Sequence, residues 1–155
     1  MKLLTVSGLY KSYDKNEVLK DINFDISSGK IVGLLGKNGM GKTTLIKLIN
    51  DLLTKDKGTI KVNGKEIGVE SKKIISYLPE RTYLNKQMTA LEVIKYFDDF
   101  YDNFDSNKAK KLLEDLNIDV NLKLSKMSKG MQEKVQLVLV MSRKAKLYIL
   151  DEPLA

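Results

Sequence analysis

Hydrophobic and polar residues in the first half of the chain are arranged as short strands predict. Residues 3 to 10 and 18 to 26 have the composition of strands and are joined by the polar turn Asp14-Lys15-Asn16. Residues 59 to 65 alternate between polar and apolar side chains and run into an Asn-Gly pair. Alternation is typical of a strand with one face in water, and Asn-Gly is a strong hairpin signal. We therefore expect antiparallel strands in this region.

A second pattern predicts three further strands, two of them buried. Residues 31 to 35 form a continuous apolar run after a turn at residues 27 to 30, which favours a buried parallel strand. Residues 73 to 78 predict another strand, stopped by Pro79. Residues 147 to 150 are four apolar residues and predict a second buried strand.

From Thr89 onward the spacing of apolar residues becomes helical. Thr89 and Glu92 form a capping box, and the helix that follows is expected to place one stripe of apolar residues on its core face. The stripe is Leu91, Ile94, Phe97 and Tyr101. A second helix is predicted over residues 106 to 116, and a third from about Ser128 through residue 140.

The turn between the apolar run at residues 31 to 35 and the helical stretch at residues 44 to 49 carries the first chemical motif. It fits the phosphate-loop pattern G-x-x-x-x-G-K-[ST]. A strand, a glycine-rich turn and a helix start form an anion site, because backbone N–H groups converge there and the helix dipole adds positive potential. The candidate phosphate-binding residues are Gly36, Lys37, Asn38, Gly39, Met40, Gly41, Lys42, Thr43 and Thr44.

Two side chains of this loop have specific expected roles. Lys42 can reach the β- and γ-phosphates, and the Thr43 hydroxyl can hold Mg²⁺. A lysine in the first turn of a helix opposes the dipole, so Lys42 needs a negative partner. The glycines let the backbone turn tightly and approach the phosphates.

Asp151 and Glu152, directly after the apolar run 147 to 150, form the second candidate site. Ligand groups sit at the carboxyl ends of strands in a parallel sheet, so we expect Asp151 to face the phosphate loop and hold Mg²⁺. Glu152 can orient and deprotonate an attacking water. The plainer alternative is a strand that ends in solvated acids, and Pro153 after the pair favours the site.

Composition narrows the classes of function. The chain has 155 residues, with 27 Lys and Arg against 20 Asp and Glu, a formal charge of +7. The basic residues are scattered, and all but Arg81 and Arg143 are lysines, which favours a solvated lysine-rich surface over nucleic-acid binding. There are no cysteines and no histidines, so thiolate and imidazole chemistry are excluded. No run is long enough to span a membrane, and the first residues are too short an apolar stretch for a signal peptide.

With these two sites, the whole chain resembles the ATPase subunit of an ABC transporter. Residues 126 to 132 are similar to the family signature L-S-G-G-Q, with Ser128 and Gly130 at its Ser and second Gly positions. Met127, Lys129 and Met131 replace Leu, Gly and Gln. The resemblance implies that this helix start covers the ATP held by a second subunit, whereas the simpler alternative is an ordinary Ser N-cap.

The resemblance assigns two further residues. Glu80 falls at the position of the family's Q-loop, where it replaces Gln. The resemblance implies that Glu80 takes part in the network of Mg²⁺ and water and has the sensing role of the Q-loop. Tyr13 matches the aromatic residue that stacks on adenine, with Tyr10 as a competing candidate. The alternatives are a solvated loop carboxylate for Glu80 and a tyrosine that packs on its own hairpin for Tyr13.

The implied fold is α/β: a P-loop NTPase core with an N-terminal antiparallel β subdomain and an inserted α-helical subdomain. We expect the β subdomain and phosphate-loop core over residues 1 to 88, the helical subdomain over 89 to 127, and the signature helix and acidic strand over 128 to 155. The C-terminal part of the family fold, including the strand with the switch histidine, is expected to be missing. In related ATPases that strand lies between the phosphate-loop strand and the strand that ends at Asp151. Without it, backbone groups on both neighbouring strands would be unpaired, which is costly. We therefore expect a chain that is poorly stable, rearranged or completed by another copy.

The resemblance also implies a function. It predicts an ATP- and Mg²⁺-binding ATPase that dimerises with itself or a related subunit and drives export through an integral membrane permease. It predicts a cytoplasmic protein, peripheral on the inner face of the cell membrane, with no nucleic acid as partner and little turnover alone. The alternatives are a non-transport ABC ATPase acting on ribosomes or DNA, and a nucleotide-binding module without turnover.

Overall fold

The computed structural model describes residues Met1 to Glu152 and divides the chain after Ile75. One unit covers Met1–Ile75, and the other begins at Ser76. Pro153, which follows the predicted acidic pair, lies outside the described residues. The domain boundaries expected from the sequence stay a prediction.

The first unit is built on an antiparallel sheet, as the alternating sequence predicted. Its strands are β1 (Lys2–Tyr13), β2 (Asn16–Ser27), β3 (Lys57–Val62) and β4 (Lys65–Glu66), in the order β2-β1-β3-β4. β1 pairs with β2 and β3, and β3 with β4, all antiparallel.

The turns of this sheet are fixed by local residue chemistry. Asn63 and Gly64 both have positive φ, 52° and 80°, as expected for an Asn-Gly hairpin turn between β3 and β4. Gly58 has φ 90°, and a Cβ there would lie 2.2 Å from the backbone oxygen of Gly8. Only glycine can allow this close approach of β3 to β1.

The predicted strand at residues 73 to 78 begins later than expected. Helix α2 covers Val69–Ile74, and β5 covers Ile75–Leu78, so Lys73 and Ile74 are helical. Local interactions explain the difference. The Ser71 hydroxyl accepts from the Gly68 N–H and donates to the Gly68 carbonyl at 2.9 Å, and Lys73 pairs with Glu70 at 2.6 Å.

The predicted buried strand at residues 31 to 35 is wrong. These residues form no regular element, and Ile31, Val32, Leu34 and Leu35 are exposed, Leu35 to 93%. The physical reason is that a parallel strand exists only with a hydrogen-bonded neighbour. Within residues 1 to 152, no strand pairs with this run.

The first unit buries apolar residues from β1, β2, β3 and helix α1 (Lys42–Ile49), which confirms the helix predicted after the phosphate loop. Four of the eight residues of α1 are buried. They are Leu45, Ile46, Leu48 and Ile49.

The second unit combines a small sheet with three helices. Strands β5 and β6 (Leu147–Leu150) form a two-stranded parallel sheet. The helices are α3 (Ala90–Phe100), α4 (Ser106–Asp115) and α5 (Lys129–Met141), as the helical spacing predicted. Strand β6 is less buried than expected, because only Leu147 is buried, whereas Tyr148 and Leu150 are exposed.

Helix α3 begins as predicted. The Thr89 hydroxyl accepts from the Glu92 N–H at 3.1 Å, and the Glu92 carboxylate accepts from the Thr89 N–H at 2.7 Å. These two bonds confirm the capping box.

Most of the predicted apolar stripe of α3 lies against the core. Ile94 is buried, and Phe97 and Tyr101 are partly buried and pack against the core cluster. Leu91, however, is exposed, and Ala90 is buried in its place.

The core of the second unit is a cluster from all three helices and from the two segments that join them. Its members are Ala90, Val93, Ile94, Phe104, Ala109, Leu113, Ile118, Leu124, Met127, Val135, Val138 and Leu139. None of the helices in the described part of the chain has the length and hydropathy needed to cross a bilayer.

Candidate functional site

Two glycines of the predicted phosphate loop adopt the left-handed backbone conformation. Gly39 and Gly41 have φ of 83° and 86°, in the left-handed region that favours glycine. The Met40 N–H donates to the Lys37 carbonyl at 3.2 Å, which closes a turn within the loop. Residues Gly36 to Met40 are exposed, so the backbone N–H groups of this stretch other than that of Met40 are accessible to an anion.

Gly41 occupies the N-cap of α1 without any side-chain cap. A Cβ at this position would lie 2.9 Å from Leu19 Cδ2 and 3.1 Å from the Val18 backbone oxygen, both on β2. Glycine is therefore required here by conformation and by space. The first turn of α1 also contains no acidic residue, so the positive end of the helix dipole is not neutralised locally.

The Lys42 ammonium folds back over the loop and donates to the Gly36 carbonyl. This neutral oxygen gives a cation only a modest partner, whereas a phosphate oxygen would give a charge-assisted hydrogen bond. Lys42, Thr43 and Thr44 are half-buried at the start of α1. The loop and the start of α1 thus offer a polyphosphate exposed backbone N–H groups, one ammonium and the Thr43 hydroxyl.

The two candidate tyrosines lie on β1 in different surroundings. Tyr13 is exposed at the hairpin end, 43% accessible, with the Lys11 ammonium 5.3 Å from its ring centroid. Tyr10 is half-buried, with the Lys57 ammonium 5.8 Å from its ring. The more open ring face of Tyr13 is better suited to stacking on a base, but its role stays a prediction.

Asp151 is buried at the carboxyl end of β6, with only 6% of its surface exposed. Its N–H donates to the Leu78 carbonyl at 2.9 Å, which ties it to the end of β5. Burial and the Asp151 charge raise the pKa of Tyr77 to about 12. The backbone of Asp151 is thus fixed beside the end of β5, and its side chain is buried there.

Glu80 and Glu152, both exposed, line one cavity of the second unit, of about 460 Å³. The same cavity is lined by side chains of α5 that sequence analysis did not single out, including Gln132, Glu133 and Gln136. The sequence shows that these residues are three and four positions apart and so share one face of α5. Nothing in the sequence showed that this face would lie beside Glu80. The structure therefore brings two of the predicted residues together and adds polar neighbours.

The predicted signature segment starts α5. Ser128 is its N-cap, and the Ser128 hydroxyl accepts from the Met131 N–H at 3.2 Å. The Gln132 side chain donates to the Leu124 and Met127 carbonyls at 2.9 and 3.2 Å, which fixes the approach to the helix. Gly130 is exposed in the first turn, with open space around it. The N-cap alternative is confirmed as a structural role, and the ATP-covering role stays a prediction.

The residues expected to hold Mg²⁺ are divided between the two units. Thr43 is in the first unit, and Glu80 and Asp151 are in the second. Within residues 1 to 152, no three acidic side chains form a cluster suited to a metal ion. A hydroxyl and carboxylates are oxygen donors, the type of ligand that Mg²⁺ takes in proteins together with substrate phosphates and water.

Sequence comparisons place this chain in one family. The family model described as ABC transporter matches residues 19 to 155. The chain is 34% identical over 153 residues to the ABC transporter ATP-binding protein YtrB of Bacillus subtilis, covering 97% of this chain and 52% of YtrB. It is 31% identical over 166 residues to the lipopolysaccharide export system ATP-binding protein LptB of Haemophilus influenzae, covering 100% of this chain and 69% of LptB.

Solved structures agree with the sequence matches. An ATP-binding subunit of an ABC transporter superimposes with a TM-score of 0.88 at 31% identity, over 97% of this chain and 66% of that one. An ABC transporter ATP-binding protein from Pyrococcus furiosus gives 0.85 at 34% identity, over 97% and 75%. The chain spans about half the length of YtrB and about two thirds of LptB. The chain belongs to the ABC transporter family, as a relative of its ATP-binding proteins.

Proposed function

We propose that this chain binds MgATP at Gly36 to Thr44 and forms part of an ATP-hydrolysing subunit of an ABC exporter. The observation that carries the proposal is the phosphate loop. Gly39 and Gly41 hold the backbone open, α1 has no local acid, and the Lys42 ammonium has only a carbonyl partner. A triphosphate supplies the negative charge that this site is built to receive.

Hydrolysis would use further residues of the chain. Thr43 and Asp151 would each offer an oxygen ligand to Mg²⁺, which would neutralise charge on the phosphates. Glu152 accepts a proton from the attacking water, and Glu80 orients the water network beside it. Their shared cavity supports this pairing, because a base and its positioning group must lie within reach of the same water.

A second subunit and a membrane partner complete the proposal. Ser128 and Gly130 at the start of α5 would cover the ATP of a second copy or a related subunit. Tyr13 would stack on the adenine ring. Export is supported by relatives named for it, LptB and the SkfA peptide export protein SkfE of Bacillus subtilis, 32% identical over 159 residues, 99% of this chain and 66% of SkfE. The subunit would then work at the inner face of the cell membrane, against an integral membrane permease.

Calorimetry with MgATP tests the binding step. The chain should release or absorb heat with one site per chain, and Lys42→Glu should abolish the signal, because reversed charge repels the triphosphate. Lys47→Glu is the matched control, since Lys47 is exposed in the same helix outside the loop. Equal binding by Lys42→Glu and the unchanged chain would contradict the proposal.

The hydrolysis step needs the assembled transporter. Glu152→Gln in the full-length protein should keep ATP binding and lose turnover, because the amide cannot accept the proton. ATP binding without turnover in the unchanged assembly would instead support a nucleotide-binding module.

A further inference from the structure

Asp56 holds the end of β1 that carries Tyr13. It lies just before β3, and its Oδ2 atom accepts from the Ser12 N–H at 2.6 Å. Its Oδ1 atom is 3.4 Å from the Lys11 ammonium, and its N–H donates to the Tyr10 carbonyl at 3.0 Å. One residue therefore contacts the three residues of β1 that come directly before Tyr13.

Strand pairing alone leaves this end of β1 incompletely held. The register of β1 with β3 ends at Tyr10, before Tyr13 is reached. The register of β1 with β2 shifts between Lys11 and Ser12, and such an irregularity disrupts the ladder locally. The Asp56 carboxylate takes up the Ser12 N–H, so a side chain continues the support that β3 gives to the earlier part of β1.

Lys11 connects the Asp56 carboxylate to the Tyr13 ring. The Lys11 ammonium is 3.4 Å from Oδ1 of Asp56 and 5.3 Å from the centroid of the ring. The Lys11 side chain is only 14% exposed, so its stem is packed and its charged end has little freedom. A cation over one aromatic face favours one orientation of the ring and leaves the opposite face open to another planar group.

The Tyr13 ring lies near the phosphate loop, because both adjoin the same end of β2. Tyr13 pairs with Asn16 across the hairpin. Val18, two residues along β2, lies against the loop, since a Cβ at Gly41 would be 3.1 Å from the Val18 backbone oxygen. Two residues of a strand span about 7 Å. A ligand whose phosphates are held by the loop can therefore reach the ring with its other end.

We propose that Asp56 is a positioning residue for the adenine base: through Lys11 and the Ser12 N–H it holds the Tyr13 ring in the orientation in which a purine stacks. This role rests on the proposed binding of ATP at residues 36 to 44. A ring that is held in advance loses less entropy when the base binds.

The charge of Asp56 makes this role separable from simple electrostatics. A carboxylate repels a nearby anion, so removal of the charge alone should strengthen the binding of ATP. Removal of a positioning residue should weaken it. The two explanations thus predict opposite changes in affinity for the same substitution.

Affinities for ATP and for inorganic tripolyphosphate, both measured by calorimetry with Mg²⁺, separate the base from the phosphates. Tyr13→Ser should weaken ATP binding about tenfold, as for the loss of one stacked base, and Asp56→Ala about three- to tenfold. Neither change should weaken the binding of tripolyphosphate, because that ligand has no base.

Asp56→Asn repeats the test with the side-chain shape kept, and it should also weaken ATP binding, because the neutral amide no longer holds the Lys11 ammonium. Asp25→Asn is the matched control. Asp25 also pairs with a lysine of β1, Lys2 at 2.6 Å, and its side chain is 38% exposed against 42% for Asp56. ATP affinity of Asp25→Asn should equal that of the unchanged chain.

A double-variant cycle shows whether Asp56 acts through the ring. In the Tyr13→Ser chain, Asp56→Ala should weaken ATP binding no further, because no ring is left to position. A role of Asp56 in folding alone would give the same loss with and without the tyrosine.

Four results would overturn the inference. They are ATP binding by Asp56→Ala that is unchanged or stronger, an equal loss of ATP and tripolyphosphate affinity, an equal loss in Asp25→Asn and Asp56→Asn, and an undiminished effect of Asp56→Ala in the Tyr13→Ser chain. Each of them leaves the phosphate loop as a binding site if the unchanged chain binds tripolyphosphate. If the unchanged chain binds neither ligand, the proposed function fails and the role of Asp56 fails with it.

Discussion

Helices α1 and α5 start with the same two kinds of residue, a small N-cap followed by a lysine, yet their N-termini are used differently. In α1, Gly41 offers no side chain, and Lys42 turns back to a loop carbonyl. In α5, the Ser128 hydroxyl accepts the Met131 N–H, and Lys129 pairs with Glu133 at 3.5 Å. Both helices have orphan N–H groups and a positive dipole end, but α5 satisfies one of these groups with its own Ser128 hydroxyl, whereas α1 has no side-chain cap. The start of α1 therefore leaves more of its hydrogen-bonding capacity to a ligand bound by the same chain.

The largest expected effect is the difference in ATP affinity between variants of Lys42 and Lys129. Lys42→Ala should weaken MgATP binding by about 10- to 100-fold, the usual worth of a charge-assisted hydrogen bond. Lys129→Ala should leave ATP affinity of the single chain unchanged, because Lys129 belongs to the helix start that caps itself. Calorimetry of both variants measures the contrast. A similar loss in both would mean that the two helix starts are equivalent.

The next test concerns the glycine that opens α1. Gly41→Ala adds a Cβ at φ 86° and within 3.1 Å of the Val18 backbone oxygen, which cannot move freely. The left-handed conformation alone costs about 1–2 kcal/mol, and the contact adds to it. Gly39→Ala is the matched control, with φ 83° and nothing within 4 Å. Denaturant unfolding should show Gly41→Ala as the less stable variant. Equal stability would show that the contact with β2 is unimportant.

The two helix starts also differ in how far the sequence could predict them. The glycine-rich loop, the Ser128 cap and the Thr89–Glu92 capping box depend on residues close in sequence, and the structure has all three. Local chemistry of this kind is readable because each hydrogen bond spans about one helical turn. The same holds for the Asn63–Gly64 turn, whose positive φ values require these residue types.

Features that depend on distant neighbours were predicted less well. The apolar run at residues 31 to 35 indicated burial but could not name a partner strand, and none pairs with it among the described residues. Leu91 and Leu150 were likewise expected to be buried and are exposed. Glu80, Glu152 and side chains of α5 line one cavity. This could not be predicted from the spacing of residues, because these residues are far apart in the sequence. Whether Asp151 faces the phosphate loop stays a prediction.

A smaller effect is expected from the cap of α5. Ser128→Ala removes the acceptor of the Met131 N–H and should lower the free energy of unfolding by about 1 kcal/mol. Ser128→Gly should cost only a few tenths, since glycine also tolerates the N-cap position. Denaturant unfolding measures both, and ATP affinity of the single chain should not change in either. A drop in that affinity would show that Ser128 reaches nucleotide within its own chain.

The smallest expected effect is at the start of a third helix, α3. There the side chains of Thr89 and Glu92 each accept a hydrogen bond from the backbone N–H of the other residue. The Thr89 N–H and hydroxyl hold the pKa of Glu92 below its ordinary value of 4.5, because both interactions favour the carboxylate. A folded-state pKa below the unfolded one gives stability that is present above pH 4.5 and is lost as pH falls through the folded value. The thermal midpoint of Glu92→Gln should therefore fall less than that of the unchanged chain on acidification below pH 4.5. Glu66→Gln is the control, because Glu66 is an exposed acid on β4. Its thermal midpoint should fall with pH as steeply as that of the unchanged chain. If Glu92→Gln and Glu66→Gln give the same slope, the carboxylate of Glu92 does not stabilise α3 through its charge, and only the Thr89 hydroxyl caps that helix.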